Sequence, residues 1–306
     1  MKTNWKTRVL KAIFDRYLWW RINDFPPPQN AILLDYPIRP EPRYGEGKPA
    51  HPEIMALLAR NDATYQATLS SLAEFSGYLT NISETESPDS TSEPDWGNTY
   101  FSALDAITLY GLLGSRGPSR YVEVGSGNST KFARRAVRDL NLATKIISLD
   151  PRPRAEVNVL CDRVIREPLE DNDLVLFDEL EAGDVVFVDG SHRVFENSDV
   201  TVFFMEVFPR LKPGIVVHVH DIFLPFDYPR SWMRRHYSEQ YLLAAYLLGG
   251  SGRIEVLLPL AYLSQHPAMA EFLDKTWGQP VFQRAFSRNR QLTGGYIGTS
   301  FWLKIM

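Results

Sequence analysis

Five short apolar runs between residues 120 and 221, RYVEVG, KIISLD, DRVIRE, DVVFVDG and GIVVHVHD, are separated by segments of helical spacing at 130–140, 154–160, 172–180 and 198–211. A chain that switches repeatedly between the two-residue and the 3.6-residue period has few solutions: parallel strands joined by crossover helices, with helices on both faces of the sheet. Two later runs, RIEVLLPL at 253–260 and GTSFWLKIM at 298–306, add strands six and seven, with helical segments at 232–248 and 267–277 before and between them. With 306 residues and 44% apolar content there is ample material for one large α/β domain with additions.

In an open parallel sheet, ligands sit beyond the carboxyl ends of the strands, so the residues just after each apolar run carry the information. Here those ends are polar. The first gives Glu123, Gly125, Ser126 and Gly127, the second Asp150, the third Glu167, the fourth Asp189, Ser191 and His192, the fifth His218, His220 and Asp221. Glycines at 125 and 127 allow a sharp strand-to-helix turn that brings backbone N–H groups against a ligand. The third glycine of a dinucleotide fingerprint would fall at Thr130, which disfavours close approach of a diphosphate. Glu123 suits an ammonium better than a phosphate, and Asp150 is placed to accept hydrogen bonds from ribose hydroxyls. A ribose and an ammonium without phosphate describe S-adenosylmethionine.

At these motifs, YVEVGSGNSTKFARRAV, ISLDPRPR, DVVFVDGSHR and LKPGIVVHVHDIFLPFDYP, the sequence resembles the class I S-adenosylmethionine-dependent methyltransferases, in particular the bacterial small-molecule branch called methyltransferase family 24. The resemblance covers about residues 95–245. It implies a Rossmann-like seven-stranded class I methyltransferase sheet with a mostly helical N-terminal extension. It also implies that Glu123, Gly125, Gly127, Ser129 and Thr130 hold the methionine end, Asp150 the ribose and Glu167 the adenine amino group. Ser126 and Asp189 complete the candidate cofactor set. Asp189 and Asp221 are similar to the carboxylates that hold Mg²⁺ in metal-dependent O-methyltransferases, with His220 as a third ligand to Mg²⁺ or another divalent cation. Where related sugar and antibiotic methyltransferases carry an acid pair after the fifth strand, this chain has His220 and Asp221, so an all-oxygen site loses a ligand.

Methyl transfer needs an aligned acceptor and, for an alcohol, a group that removes its proton. His220 and His192 are the candidate bases, because imidazole titrates near neutral pH, and Asp221 is the third candidate catalytic residue. His218, on the face of its strand opposite Val217 and Val219, reads as a packed or surface histidine. The stretch DIFLPFDYPRSWMRRHYSEQYLL follows as a candidate acceptor-binding loop, with Asp227, Tyr228, Trp232, Arg234, Arg235, Glu239 and Gln240 as contacts for a saccharide or secondary metabolite. Upstream, WGNTYFSALDA at 96–106 reads as a cover over the cofactor, with Tyr100 and Asp105 as candidates. The alternatives are a related fold turned to aminopropyl transfer or hydroxylase-type chemistry, and a non-catalytic cofactor-binding or assembly subunit.

Residues 1–110 read as a helical extension with proline-rich and acidic loops (25–28, 36–49 and 83–95), and 111–306 as the methyltransferase domain. Val9, Leu10, Ile13, Phe14, Tyr17 and Leu18 recur at helical spacing, with Trp19 and Trp20 following. Lys11, Asp15, Arg16 and Arg21 interrupt every apolar stretch well short of a membrane span or signal segment. That helix is expected to pack on the body or on a second subunit in a homo-oligomer; peripheral membrane contact is the weaker reading. A net charge of −4 argues against nucleic acid, and the one cysteine, Cys161, fits a reducing, cytoplasmic setting.

Overall fold

The computed structural model describes residues 36–85, 92–153, 157–250 and 252–306, together with Val9 and Ile13. The chain divides into two compact units, residues 1–40 and 41–306. Of the first, Val9 and Ile13 are helical. The remaining apolar positions expected on that helix, the proline run at 25–28, and residues 86–91 of the acidic loop lie outside the described residues.

The second unit is built on a seven-stranded sheet: β1 (Arg120–Val124), β2 (Lys145–Leu149), β3 (Arg163–Ile165), β4 (Val185–Val188), β5 (Val216–Val219), β6 (Ile254–Pro259) and β7 (Phe301–Ile305). Their order is β3-β2-β1-β4-β5-β7-β6. The first five run parallel, whereas β7 is antiparallel to both β5 and β6. This is the Rossmann-like class I methyltransferase sheet, and β1 and β4 meet at its switch point, where the strand order reverses. Tyr121, Val122, Val124, and all of β4 and β5 are buried, as strands covered by helices on both faces must be.

Helices fall where the spacing placed them, with shifted ends. The 130–140 segment is a helix over Asn128–Asp139, and the 267–277 segment one over Pro267–Thr276. The 172–180 segment keeps only one turn, Val175–Asp178. Residues 198–211 form a mixed α, π and 3-10 run from Asp199 to Arg210, while of 154–160 a 3-10 turn is seen at Asn158–Leu160. Before the sheet, Pro52–Ala59 and Asp62–Leu72 are helical, and the helix Ala103–Arg116 runs through the interior with every residue from Ala103 to Leu113 buried. It packs on Asn128–Asp139, on Asp62–Leu72 and on the C-terminal helix Pro280–Thr293. One apolar core therefore runs from Ile54 to Ile305. Among the described residues, no helix is long and apolar enough to cross a membrane.

Candidate active site

β1 ends on a buried acid. Glu123 is wholly buried, a cost that hydrogen bonds must offset. Tyr121 donates its hydroxyl to Oε1 at 2.9 Å, and the Thr130 hydroxyl donates to Oε2. Thr130 Oγ1 in turn accepts from Gly127 N at 3.0 Å, so the acid at the strand end fixes the loop that follows it. Burial pushes the Glu123 carboxyl up to about 7, against hydrogen bonds from Ser129, Thr130 and Tyr121 that pull it down.

The loop itself lies hard against the end of β4. Gly125 has φ +84°, and a Cβ there would sit 1.9 Å from the Asp189 carbonyl oxygen. No side chain fits, so the glycine is a steric requirement. Asp189 N donates to Val124 O at 2.8 Å and Gly125 N to Leu149 O at 3.1 Å, lacing the ends of three strands together. Asp150, after β2, accepts from Ser126 N at 2.7 Å on one carboxylate oxygen and from Arg152 N at 2.7 Å on the other. A Cβ on Gly127, by contrast, would meet nothing within 4 Å.

Above this loop is a cavity of about 860 Å³. Its walls are the β1 loop from Val124 to Ser129, Leu149 to Arg152 after β2, Pro168 to Glu170 after β3, and Asp189 to Ser191 after β4 with Asp199 behind them. Gly97 to Phe101 and Arg288 close the remaining side. The sequence candidates Gly125, Ser126, Gly127, Ser129, Asp150, Asp189 and Tyr100 all line it. Glu123 and Thr130 stand behind the loop instead. Glu167 is exposed, bonded to Asn172 Nδ2 at 3.4 Å, and does not line the cavity. Glu170 does, and its buried Oε2 has no hydrogen-bond partner. Sequence reasoning missed it because β3 is only three residues long and the 3-10 turn Leu169–Asp171, which carries Glu170 inward, leaves no periodic signal.

The histidines read as candidate bases form a separate, buried cluster beside Asp189. His192 is 1% exposed and His220 2%. The His192 ring faces Glu239 Oε2 through Nδ1 at 2.9 Å, and Asp189 Oδ1 and Asp221 Oδ2 through Nε2 at 3.1 and 3.6 Å. Burial alone would depress its pKa, but Asp189, Glu239 and Asp221 raise it well above the ordinary histidine value. His220 Nε2 lies 3.6 Å from Asp221 Oδ1, which also accepts from Thr299 Oγ1 at 3.1 Å. Burial opposes protonation of His220 too, yet Asp221, Asp189 and Asp105 carry its pKa above the usual value. His192 and Asp221 both adopt left-handed backbone, φ 59° and 55°, a strain of about 1–3 kcal/mol each of the kind that collects at functional sites.

His218 is packed, stacked on Phe187 at 3.8 Å with Nε2 2.6 Å from Ser300 Oγ, and burial holds it neutral. Asp105 is buried away from the cavity lining, accepting from Thr299 N and Ser300 N at 2.8 Å each; desolvation raises its pKa, partly countered by His220.

The loop read as acceptor-binding packs on His192 through Tyr237 and Ser238, and several of its candidates are occupied within the fold. Asp227 accepts from Arg43 N, Tyr44 N and the Tyr241 hydroxyl. Gln240 ties Phe223 N to Phe226 O, and Tyr228 is 2% exposed. Arg235 lies over the Trp232 ring at 3.9 Å, while Arg234 is exposed.

The donor set suits one implied group and not the other. The bare edge at Gly127, the carboxylates of Asp150 and Glu170, and the orphaned Glu170 oxygen give S-adenosylmethionine donors and acceptors along one wall. A divalent cation fits poorly at Asp189, His220 and Asp221, because the His192 ring stands between the two carboxylates. Among the described residues, no group of three His, Cys, Asp or Glu side chains is arranged to hold a metal ion.

Residues 122–222, a third of the chain, match the family profile of a methyltransferase domain, that of methyltransferase family 24. Curated proteins yield no match. Among solved structures, an SAH-bound methyltransferase of Podospora anserina, PaMTH1, is 16% identical with a TM-score of 0.39, over 82% of this chain and 96% of that one. An O-methyltransferase of Bacillus cereus in complex with SAH is 15% identical with a TM-score of 0.39, over 83% and 96%. The O-methyltransferase TomG of Streptomyces achromogenes, in complex with SAM, is 16% identical with a TM-score of 0.36, over 75% and 94%. Likeness this distant adds no weight to what the sheet order and the profile carry. The chain holds a methyltransferase domain at residues 122–222, set in the seven-stranded sheet of the class I S-adenosylmethionine-dependent methyltransferases.

Proposed function

We propose that the protein is an S-adenosylmethionine-dependent O-methyltransferase acting on a small polar acceptor, a saccharide or a secondary metabolite. The observation that carries this reading is Asp189. Asp189 lines the cavity, and its carboxylate touches the buried His192 ring, so one residue joins the donor site to the proposed proton-handling cluster. When bound, S-adenosylmethionine supplies an electrophilic methyl group on a good leaving group.

The chain's own residues supply binding and proton removal. Ser126, Gly127 and Ser129 take the amino-acid end, with Glu123 and Thr130 holding their loop in shape. Asp150 takes the ribose, and Glu170 replaces Glu167 as the acceptor for the adenine amino group. His220 is the proposed base: its Nδ1 has no hydrogen-bond partner, and it packs on Phe101, whose neighbours wall the cavity. His192, engaged on both ring nitrogens, orients Asp189 and Asp221. Both rings are buried, His192 against Tyr237 and His220 against Phe101, so an acceptor reaches His220 only when the residues packed over it shift. Gly97 to Phe101 form a cover over the donor. The single Cys161, part-buried and unbridged, fits a reducing cytoplasmic setting.

Incubating the protein with methyl-labelled S-adenosylmethionine and small-molecule extracts tests this. Label transferred to an acceptor oxygen with S-adenosylhomocysteine as coproduct supports the reading. Methylthioadenosine as coproduct points to aminopropyl transfer, and binding without turnover in any extract points to a cofactor-binding subunit.

A further inference from the structure

The two carboxylates at the ends of β4 and β5 face each other across the imidazole of His192. Asp189 Oδ1 lies 3.1 Å and Asp221 Oδ2 3.6 Å from the same ring nitrogen, Nε2. A divalent ion shared by these residues needs oxygens within about 2.0–2.6 Å of its centre, in the gap that the ring fills. On the far side, Nδ1 lies 2.9 Å from Glu239 Oε2, and the Glu239 side chain is wholly buried. Carboxylate oxygens thus engage the ring at both nitrogens.

The backbone fixes the ring in this place. His192 is left-handed at φ 59°, its carbonyl oxygen accepts from Ser238 N at 2.8 Å and Glu239 N at 3.2 Å, and Tyr237 packs on the ring at 4.5 Å. The same turn that starts the helix Glu239–Leu248 thus delivers both the clamp on the His192 backbone and the acid on its side chain. Asp221, left-handed as well, turns its second oxygen towards His220.

We propose that the His192 ring takes the position between Asp189 and Asp221 that a divalent metal would occupy, so that these residues hold no metal ion. The inference rests on the methyltransferase reading for its meaning, and concerns how the acceptor end of that site is held. His192 is a positioning residue in this scheme. It holds the two strand-end carboxylates in place.

The test is metal binding and thermal stability, neither of which needs an acceptor. Mn²⁺ is titrated into the wild-type protein and followed by the loss of the free-ion paramagnetic resonance signal, with melting temperature measured beside it. The expected result is no bound Mn²⁺ and an unmoved Tm for the wild type. His192→Ala removes the ring and leaves Asp189, Asp221 and His220 around a gap. It is expected to melt lower, to bind Mn²⁺, and to regain roughly 5–10 °C at a hundredfold excess over Kd. Stoichiometric Mn²⁺ binding by the wild type that disappears in Asp189→Asn overturns the proposal, as does a His192→Ala protein that folds and ignores the metal. If His192→Ala does not fold, the wild-type and Asp189→Asn titrations still decide. Titrating S-adenosylhomocysteine into the same wild-type preparation tests the cofactor reading separately, since it depends on the cavity and not on Mn²⁺.

Discussion

Two glycines two residues apart respond differently to the same substitution. At Gly125, φ +84° costs an L-residue about 1–2 kcal/mol. The new Cβ would also lie 1.9 Å from the Asp189 carbonyl oxygen and 2.7 Å from its carbon. These are backbone atoms pinned by the Asp189 N to Val124 O bond, so relief requires β1 and β4 to part, an overpacking strain of about 1–3 kcal/mol more. Gly125→Ala should therefore lose about 2–5 kcal/mol, or roughly 4–20 °C in Tm for a domain of this size. Gly127→Ala meets nothing within 4 Å and has no left-handed backbone to strain, so its Tm should stay within about 2 °C of the wild type. Because Gly127 lines the cavity, the harm there should appear as weaker S-adenosylhomocysteine binding. Differential scanning calorimetry reads the stabilities. Equal Tm values for the two variants would refute the steric account of the β1 turn.

Other substitutions probe the acids and the base. The Glu123 carboxyl is raised from 4.5 to about 7, so the folded state holds its proton more tightly than the unfolded chain does. That contribution is fully present below about pH 4.5 and is lost as pH rises through about 7, by at most about 3 kcal/mol. Urea unfolding from pH 4.5 to 8 should show Glu123→Gln gaining on the wild type across that window, and a constant difference would remove burial as the cause. Glu170→Gln should weaken S-adenosylhomocysteine about tenfold in calorimetry, the loss of one charge-assisted hydrogen bond, while Glu167→Gln leaves it unchanged. His220→Ala should spare cofactor binding and abolish turnover. In the wild type the acid limb of kcat should lie above pH 6.5, in line with the raised His220 pKa, and turnover that survives in the variant moves the base elsewhere.

The parallel half of the sheet was legible because its runs were short, mostly apolar and closed by a polar residue, a pattern that fixes both the strand and its carboxyl end. The Gly125 turn, Asp150 and Asp189 followed from that. The helix Ala103–Arg116 was not legible as a helix: buried all round from Ala103 to Leu113, it has no solvent-facing side there to set a period. The helix Pro280–Thr293 went unread: Pro280 marks its start and Gly294, φ +78°, its end, but the polar-rich sequence between them hid it. At the site, what escaped was long-range pairing. Glu239 stood out only as an acceptor contact, and nothing in its neighbourhood tells that a turn 47 residues beyond His192 brings it onto that ring. Glu170 and Glu167 are equally plausible on paper. Only the 3-10 turn separates them.

Calorimetric titration of the purified protein with S-adenosylhomocysteine, and in parallel with NAD⁺, asks the central question most directly. A cavity walled by Gly127, Asp150 and Glu170 should bind the first at one site per chain with micromolar affinity and ignore the second. No heat with S-adenosylhomocysteine, or tighter binding of the dinucleotide, would contradict the assignment of that cavity to a sulfonium methyl donor.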